Sequence, residues 1–371
     1  MRHDTCPGSW CDIHRDRISR NLEIARSLVP QGRDFCAVLK ADAYGHGIAQ
    51  VVPLVIEQGV GCVGITSNAE AFAVRDAGFG GRLIRLRAAT AAEIDAAAPA
   101  RVQEQAGSLA AAQALRAQRD AGREVAAHLA LDAAGMSRDG LEIATQAGRD
   151  TCLQILETLA GNVVGICTHF PSNAGPDLAQ TAALFQHQAA WVCDNGGLDR
   201  SRLLVHAGSS LTLISDQPIE TDMYRCGAIL YGILRPDLGF RTTMDLKARV
   251  VSIGDFPKGA TVGYDRALTL EGDRRLACLS VGYANGFPRR SEAGSVVAIR
   301  DHLAPTVGKI SMNTVVVDVT DIAGIAVGDE ATVFGGIADG QASLDVTQRQ
   351  FGTILADLFS DWGARNHRIY R

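Results

Sequence analysis

The feature that most constrains the fold is an alternation between short apolar runs and longer alanine-rich segments with helical periodicity. The apolar runs are Phe35–Leu39, Cys62–Thr66, Leu83–Leu86, a weak one near Arg101–Gln103, Val125–Leu131, Val163–Thr168, Leu203–Ala207 and Ala228–Leu230. Strands that alternate with helices form βαβ units around a parallel sheet, so the fold class is α/β. About eight such units favour a (β/α)₈ TIM barrel.

A doubly wound open sheet is the alternative architecture. Its phosphate fingerprint, G-x-G-x-x-G directly after a strand, does not occur, because Gly78, Gly80 and Gly81 precede a strand instead.

After Gly239 the helical periodicity fades and β-branched runs separated by Gly and Asp turns take over. The runs are Ala248–Ile253, Leu276–Val281, Val296–Ile299 and Thr314–Val319, and a helix is expected near Val346–Leu358. We therefore expect a barrel over residues 11–238 and a mostly β domain over residues 239–371, together with residues 1–10.

Composition excludes several classes of protein. Of 371 residues, 47% are hydrophobic and 21% charged, which excludes a disordered chain. The net charge of −5 argues against a nucleic-acid partner, and the chain lacks an apolar run long enough for a transmembrane helix.

The N-terminal residues lack the apolar core of a signal peptide, so the cytoplasm is the expected compartment, or the periplasm if a signal peptide was removed. The odd number of nine cysteines favours free thiols. A Cys36–Cys62 disulfide, which would also indicate the periplasm, stays open. His3, Cys6, Cys11 and His14 fit no zinc-ligand spacing, so we expect no metal site.

Lys40 is the first candidate for chemistry. It ends the apolar run of FCAVLKADAYGHG (residues 35–47) and precedes a glycine-rich loop. The carboxyl ends of barrel strands form the active-site face, where partial desolvation favours the neutral, nucleophilic amine. A salt-bridged lysine at the barrel rim is the alternative.

The full string around Lys40 closely resembles the pyridoxal-phosphate lysine motif of the alanine racemase family. Further segments resemble that family in order: CTHF at Cys167–Phe170, HAGSS at His206–Ser210, DMYRCG at Asp222–Gly227, VGYDRAL at Val262–Leu268, SVGYANG at Ser280–Gly286 and VGKISMNT at Val307–Thr314. Any one motif is weak, but their shared order makes a chance match improbable. The resemblance covers both expected domains.

Within the family the chain is most similar to the broad-specificity amino acid racemases. Leu129–Gly140, Ser311–Thr314 and Asp361–Arg368 carry this similarity. The resemblance implies a pyridoxal-phosphate-dependent isomerase that interconverts L- and D-amino acids. It implies alanine and serine as substrates and leaves basic amino acids open.

The resemblance assigns the two proton-transfer groups to Lys40 and Tyr264. Lys40 would hold the cofactor covalently and act as the base on one face of the substrate, with Tyr264 on the other face. In the family this tyrosine reaches the partner subunit's cofactor, which implies a homodimer with composite active sites.

Other site residues are likewise carried over from the family. Lys40, Tyr44, His169, Ser210, Arg225, Gly227 and Ala228 would bind the cofactor, with His206 as a weaker candidate behind them. Arg225 would face the pyridine nitrogen, and because a guanidinium only donates hydrogen bonds, that nitrogen would stay unprotonated. Arg138, Tyr283 and Met312 would contact the substrate. Arg138 would bind the carboxylate of the substrate.

Several positions depart from the family pattern. Ala130 replaces a lysine that often braces the carboxylate-binding arginine, so Arg138 must be held in another way. Asp132 and Asp139 stand where Asn is expected, and could either favour basic substrates or simply pair with Arg138. Ala364 predicts a wider pocket, whereas His367 has no predicted effect.

Two other functions stay open. A decarboxylase of the same architecture would present an acidic residue to the pyridine nitrogen, where this chain has Arg225. A non-catalytic pyridoxal-phosphate-binding protein would lack the β domain and Tyr264.

Overall fold

The chain forms two compact units, each with its own core. The computed structural model describes residues 6–133, 135–289, 295–300, 302–335 and 344–371, with the side chains of 344–347 excepted. The barrel unit comprises Ser19–Ala43 and Ile48–Leu230. The β unit comprises the described residues up to Ile18, Tyr44–Gly47 and the chain from Tyr231 onward. The boundaries expected between residues 10 and 11 and at 238 stay predictions.

The barrel unit contains a closed ring of parallel strands. The first strand of the chain, β1 (Ser9–Ile13), belongs to the β unit, and those of the barrel follow as β2 (Asp34–Val38), β3 (Cys62–Ile65), β4 (Arg82–Arg85), β5 (Glu104–Ala106), β6 (Ala127–Ala130), β7 (Val163–Cys167), β8 (Leu204–His206), β9 (Gly208–Ser209) and β10 (Met223–Cys226). Neighbours pair in parallel from β10 through β2 and β3 to β4, and from β5 to β8.

Two short links close the ring. Ile84 and Gln103 form a parallel bridge between β4 and β5, and β9, which follows β8 after one residue, pairs with β10. The helices that alternate with these strands span Arg15–Ser27, Ile48–Glu57, Asn68–Asp76, Ala91–Ala97, Leu109–Asp120, Gln146–Leu159 and Gly175–Gly196, with a short one at Ser210–Leu213. The predicted TIM barrel is confirmed.

Local sequence signals explain where several barrel helices begin. Ser67 and Thr90 each accept a hydrogen bond from the backbone N–H of the third helical residue, Glu70 or Glu93. The carboxylate of that glutamate accepts one from the backbone N–H of the cap residue. This reciprocal capping box satisfies backbone N–H groups that a helix start otherwise leaves unpaired. Ser108 and Thr145 cap the next two helices with one such bond each.

Three predicted elements are corrected. Ala228–Leu230, expected as a strand, lies in a 3₁₀ turn, Ala228–Tyr231, and the strand is β10. Because β10 contains polar residues such as Arg225, its sequence does not form an apolar run, although all four of its residues are buried. The weak strand near 101–103 lies at β5, and the helix expected over 346–358 divides at Gly352, whose φ is 68°.

The β unit is built around one long strand, β11 (Met244–Phe256), which pairs antiparallel with β1, β14 and β18. Its other strands are β12 (Thr261–Val262), β13 (Leu268–Thr269), β14 (Arg274–Leu279), β15 (Val296–Ile299), β16 (His302–Pro305), β17 (Val315–Asp318), β18 (Glu330–Phe334) and β19 (His367–Tyr370). Helices span Leu344–Phe351 and Leu355–Arg365. The predicted mostly β domain is confirmed.

Two features bear on the expected compartment and on metals. Cys36 and Cys62 are directly opposite each other on β2 and β3, and both are free thiols. Across the described ranges, no helix is long and apolar enough to cross a membrane, and no group of three or more metal-ligating side chains occurs. His3 lies outside those ranges. The compartment stays a prediction.

Candidate active site

Lys40 opens an unusual stretch of backbone just beyond β2. The four residues after it, Ala41–Tyr44, all have φ between 52° and 57°, which is the left-handed region. For residues other than glycine this conformation costs roughly 1–2 kcal/mol each. No glycine signal announces it, because the first glycine of the motif is Gly45.

Hydrogen bonds from the barrel unit hold the start of this left-handed turn. Ala41 N donates to Glu70 Oε1 (2.7 Å), Ala43 N to Leu39 O (2.8 Å), and Ile48 N to Asp42 Oδ1 (2.8 Å). Lys40 therefore sits between a buried strand and a turn that is fixed at several points.

The environment of Lys40 favours its neutral amine. Lys40 is accessible to solvent, yet the surrounding protein partly desolvates its ammonium group and lowers the pKa of that group. Arg138 lowers the pKa of Lys40 further, whereas Glu70 raises it. The lysine is therefore an accessible amine with an enhanced tendency to lose its proton.

Arg225 on β10 is buried and almost fully hydrogen-bonded by the protein. Its Nη1 donates to His206 Nδ1 (2.6 Å) and His206 O (3.0 Å), and its Nη2 donates to Thr168 O (2.8 Å) and Ala207 O (3.4 Å). A guanidinium has five N–H donors. Its Nε–H, alone of the five, makes no bond within the described chain, and is left for a ligand.

A chain of neutral histidines lies behind Arg225. Because the guanidinium can only donate, His206 Nδ1 must accept, and its Nε2 then donates to His128 Nδ1 (3.0 Å). His128 Nε2 in turn donates to Gln103 Oε1 (2.9 Å). Burial lowers the pKa of His128 to about 3 and that of His206 well below its usual value. His206 thus orients Arg225.

His169, two residues beyond β7, shares the electrostatic environment of the predicted cations. Its pKa is lowered to about 4, mainly by desolvation and further by the positive charges of Arg225, Arg138 and Lys40. These four predicted site residues therefore converge at the carboxyl end of the barrel strands, where TIM-barrel active sites lie.

Three of the predicted cofactor-binding residues, Ser210, Gly227 and Ala228, also lie together. Gly227 N donates to Ser210 Oγ (3.0 Å), and Ala228 begins the 3₁₀ turn that follows Gly227. Ser210 and Gly227 are buried, so a hydroxyl and backbone amides occupy one small region after β9 and β10.

Arg138 is held by its neighbour Asp139, at the point where Ala130 leaves it without a lysine brace. Its Nε donates to Asp139 Oδ1 (3.0 Å), and the second carboxylate oxygen accepts from Ala88 N (3.4 Å). Among the residues placed by the structure, nothing accepts from either Nη of Arg138. Both terminal nitrogens can thus take a carboxylate end-on.

Asp132 braces the same loop from the other side. Both of its carboxylate oxygens accept from Ser137 N (3.1 and 2.9 Å), and Ser137 has a left-handed φ of 50°. Of the two extra carboxylates, Asp139 thus pairs with Arg138 as one alternative expects, whereas Asp132 bonds to Ser137 and not to Arg138.

In the β unit, Tyr44 stacks on Tyr231, with ring centroids 4.8 Å apart. The other predicted residues of this unit lie on neighbouring loops. Tyr283 N donates to Ser311 O (3.1 Å), and Ala284 N to Met312 O (2.9 Å). Gly282 permits this approach, since a Cβ there would lie 2.4 Å from Met312 O. Tyr283 and Met312 are therefore brought together.

Tyr264 follows Gly263, whose φ of 79° and close approach to Lys309 N both favour glycine. The ion pair between Lys309 Nζ and Asp265 Oδ2 (2.6 Å) anchors the same turn. Tyr264 is 62% exposed and Met312 54% exposed, so both side chains are presented outward from the β unit. Ala364 and His367 are also exposed, the former on the last helix and the latter at the start of β19.

Sequence reasoning missed Glu70 and His128. The spacing Ser67-x-x-Glu70 signals a helix cap and could have drawn attention to Glu70. Nothing in the sequence indicates that Ala41 would be within its reach, because that contact joins two βα loops.

We predict that His169 stays neutral well below pH 6 in the ligand-free protein, titrating with a pKa of about 4. Replacing Arg138 by Gln removes a positive charge and should raise that pKa. NMR titration of the ring protons measures both, with His169→Gln to assign the signal. Arg116→Gln, which removes an exposed arginine paired with Asp120, is the control and should change nothing. A wild-type pKa near 6.5 would contradict the arrangement.

The geometry agrees with comparisons to known proteins. Residues 13–235 match the family model "Alanine racemase, N-terminal domain", and residues 243–370 match "Alanine racemase, C-terminal domain". A broad specificity amino-acid racemase of Aeromonas hydrophila is 38% identical over 366 residues, covering 98% of this chain and 90% of the relative. A lysine racemase of Proteus mirabilis is 36% identical, covering 97% and 89%.

Among solved structures, alanine racemase from Bartonella henselae, described with covalently bound pyridoxal phosphate, superposes with a TM-score of 0.85. It is 21% identical and covers 99% of this chain and 100% of its own, which shows the shared fold. With both family models matched and relatives well above 30% identity over nearly the whole chain, this protein belongs to the alanine racemase family.

Proposed function

We propose that this protein is a pyridoxal-phosphate-dependent amino acid racemase that uses Lys40 and Tyr264 as its two proton-transfer groups. The observation that carries the proposal is the convergence of Lys40, Arg138, His169 and Arg225 at one end of the barrel, with the pKa of Lys40 lowered. The racemase names of its relatives support the same conclusion.

The residues present fit the cofactor. Lys40 offers an amine that readily becomes neutral, Arg225 keeps one N–H donor for a ring nitrogen, and Ser210 with the amides near Gly227 suits a phosphate. His169 and Tyr44 would complete the set. When bound, pyridoxal phosphate delocalises the negative charge that remains on the substrate Cα after proton loss.

Arg225 also limits what the cofactor can do. Its other four N–H groups are committed to His206, Thr168 and Ala207, so the guanidinium cannot rotate to present another group. Because it cannot give up its proton, a ring nitrogen held against it would stay unprotonated. Arg225 would thereby limit the charge delocalisation that the cofactor supplies and favour return of the proton to Cα over side reactions.

Racemisation then needs a proton taken from one face and returned to the other. We propose that the Lys40 amine serves one face and the Tyr264 phenol the other. Arg138 would hold the substrate carboxylate through Nη1 and Nη2, while its Nε stays on Asp139. Tyr283 and Met312, on adjoining loops, would contact the substrate from the β unit.

We propose that two copies of the chain form a homodimer with composite sites, in which the barrel over residues 11–238 holds the cofactor. The β domain over residues 239–371, with residues 1–10, would present Tyr264 to the partner's site. The outward exposure of Tyr264 supports this division of labour.

For substrates, we propose a range that includes alanine and serine and extends to basic amino acids. Relatives named as broad specificity amino-acid racemase and lysine racemase support it, as does the small Ala364. The decarboxylase alternative is disfavoured by Arg225, and the non-catalytic binder by the β unit that carries Tyr264.

Loading the protein with pyridoxal phosphate and incubating it with single L-amino acids tests the activity. Chiral chromatography should show the D-enantiomer of alanine, serine and lysine, with no carbon dioxide released. Lys40→Ala should abolish the product. If every L-amino acid stays optically unchanged, or if carbon dioxide and an amine form, the proposed activity is wrong.

Asp139 provides a sharper prediction about substrate binding. Asp139→Ala frees the Nε of Arg138 and should raise KM about tenfold, equivalent to about 1.4 kcal/mol, for both alanine and lysine. Asp237→Ala removes a carboxylate paired with Arg235 at the surface and is the matched control. A KM increase for lysine alone would mean that Asp139 instead recognises basic side chains.

A further inference from the structure

We propose that Glu70 is a positioning residue for Lys40, because it ties the backbone of the left-handed turn after Lys40 to the start of the next barrel helix. The inference rests on the proposed function only in taking Lys40 as the reacting amine. It assigns a role to a carboxylate that is not among the site residues predicted from the sequence.

The geometry of Glu70 shows a carboxylate shared between two structures. One oxygen, Oε1, accepts from Ala41 N at 2.7 Å. The other, Oε2, accepts from Thr66 N (2.7 Å), Thr66 Oγ1 (3.1 Å) and Ser67 N (3.1 Å). Oε2 therefore performs the local helix-capping task, and Oε1 is committed to the residue next to Lys40.

The left-handed turn needs such an anchor. Its first residue, Ala41, has a φ of 54°, and Asp42 and Ala43 continue in the same conformation. Since L-residues disfavour this region, the turn persists only where its surroundings fix it. Glu70 satisfies the backbone N–H at the point where the chain leaves Lys40.

Glu70 is itself held by the buried core of the barrel. Thr66, which donates twice to Glu70, accepts a hydrogen bond from Arg85 Nη1 through its carbonyl (3.1 Å). Arg85 is fully buried and forms a two-point ion pair with Glu104, at 2.7 and 3.0 Å. The contact at Ala41 is thus connected, through Thr66, to a buried ion pair of the barrel.

Charge adds a second effect. Arg138 and Arg225 place positive charge around Lys40 and His169, whereas Glu70 acts on Lys40 in the opposite direction and raises its pKa. Removing the charge of Glu70 should therefore ease proton loss from Lys40 while loosening its turn.

The chain contains a matched control in Glu93. It occupies the same third helical position in the next capping box, and its Oε2 accepts from Thr90 N (3.0 Å) and Thr90 Oγ1 (3.1 Å). Its remaining oxygen pairs with Arg87 (2.5 Å), not with the lysine turn. Glu93→Gln thus weakens a helix cap in the same way without touching Lys40.

The test compares wild type, Glu70→Gln and Glu93→Gln as full-length, cofactor-free chains. Acetic anhydride labelling of Lys40 is followed by peptide mass spectrometry from about pH 6 to 11, around the ordinary lysine pKa. In Glu70→Gln we expect the midpoint of the pH dependence of Lys40 labelling to move to lower pH. Below that midpoint, labelling should be about threefold faster or more, because a nearby opposite charge has been lost. Glu93→Gln should follow the wild-type curve, although both variants lower Tm.

A second measurement uses the loaded proteins. Glu70→Gln should lower kcat for alanine about tenfold with little change in KM, because a misplaced base affects proton transfer more than substrate binding. Glu93→Gln should match wild type in both. If the two variants share the same labelling curve and the same kcat, Glu70 is only a helix cap and the inference is overturned.

Glu70→Asp provides a second test of the inference if Glu70→Gln does not fold. It retains the charge but is one methylene too short to serve Ala41 N and Thr66 N together, so kcat should fall while the labelling midpoint stays near wild type. An unchanged kcat would overturn the inference. Failure of the proposed function is distinguishable, because it would remove racemisation from wild type without affecting the labelling comparison.

Discussion

The site depends on holding three cationic side chains, Lys40, Arg138 and Arg225, in electrostatic contact at one end of a closed barrel. Like charges repel, and partial desolvation strengthens that repulsion. Desolvation is the main reason that the pKa values of Lys40 and His169 are lowered, and the neighbouring positive charges lower them further. In this environment the Lys40 amine loses its proton more easily than a free lysine does. The two guanidiniums cannot lose theirs and therefore act as fixed hydrogen-bond donors.

Each cation is restrained by a different device. Arg225 is held by carbonyls and by a run of neutral histidines that passes through the barrel interior to Gln103. Arg138 is held by Asp139 through Nε, so its outer edge stays available. Lys40 is placed by a left-handed turn whose first amide is bonded to Glu70. Together they explain how the barrel tolerates the charge it gathers.

The architecture could be predicted from the sequence, because the βα alternation is regular. The ordered motifs also named Lys40, Arg138, His169 and Arg225, which lie close together in the structure, while their roles stay predictions. What could not be predicted depends on contacts between distant segments. Arg225 gives β10 a polar sequence, so the apolar pattern predicts the last barrel strand a few residues after its actual position. The left-handed turn after Lys40 has no glycine before Gly45 to announce it. The sequence leaves two alternatives for Asp139, and the ion pair with Arg138 in the folded chain supports the bracing role.

The central claim is that Lys40 and Tyr264 serve opposite faces of one substrate. It is tested most directly with Tyr264→Phe, loaded with pyridoxal phosphate and incubated in heavy water with L- or D-alanine. The account predicts deuterium at Cα of one enantiomer without inversion, since Lys40 still exchanges the proton on its own face, and a fall in racemisation of at least about 100-fold. Racemisation at the wild-type rate in Tyr264→Phe would contradict it.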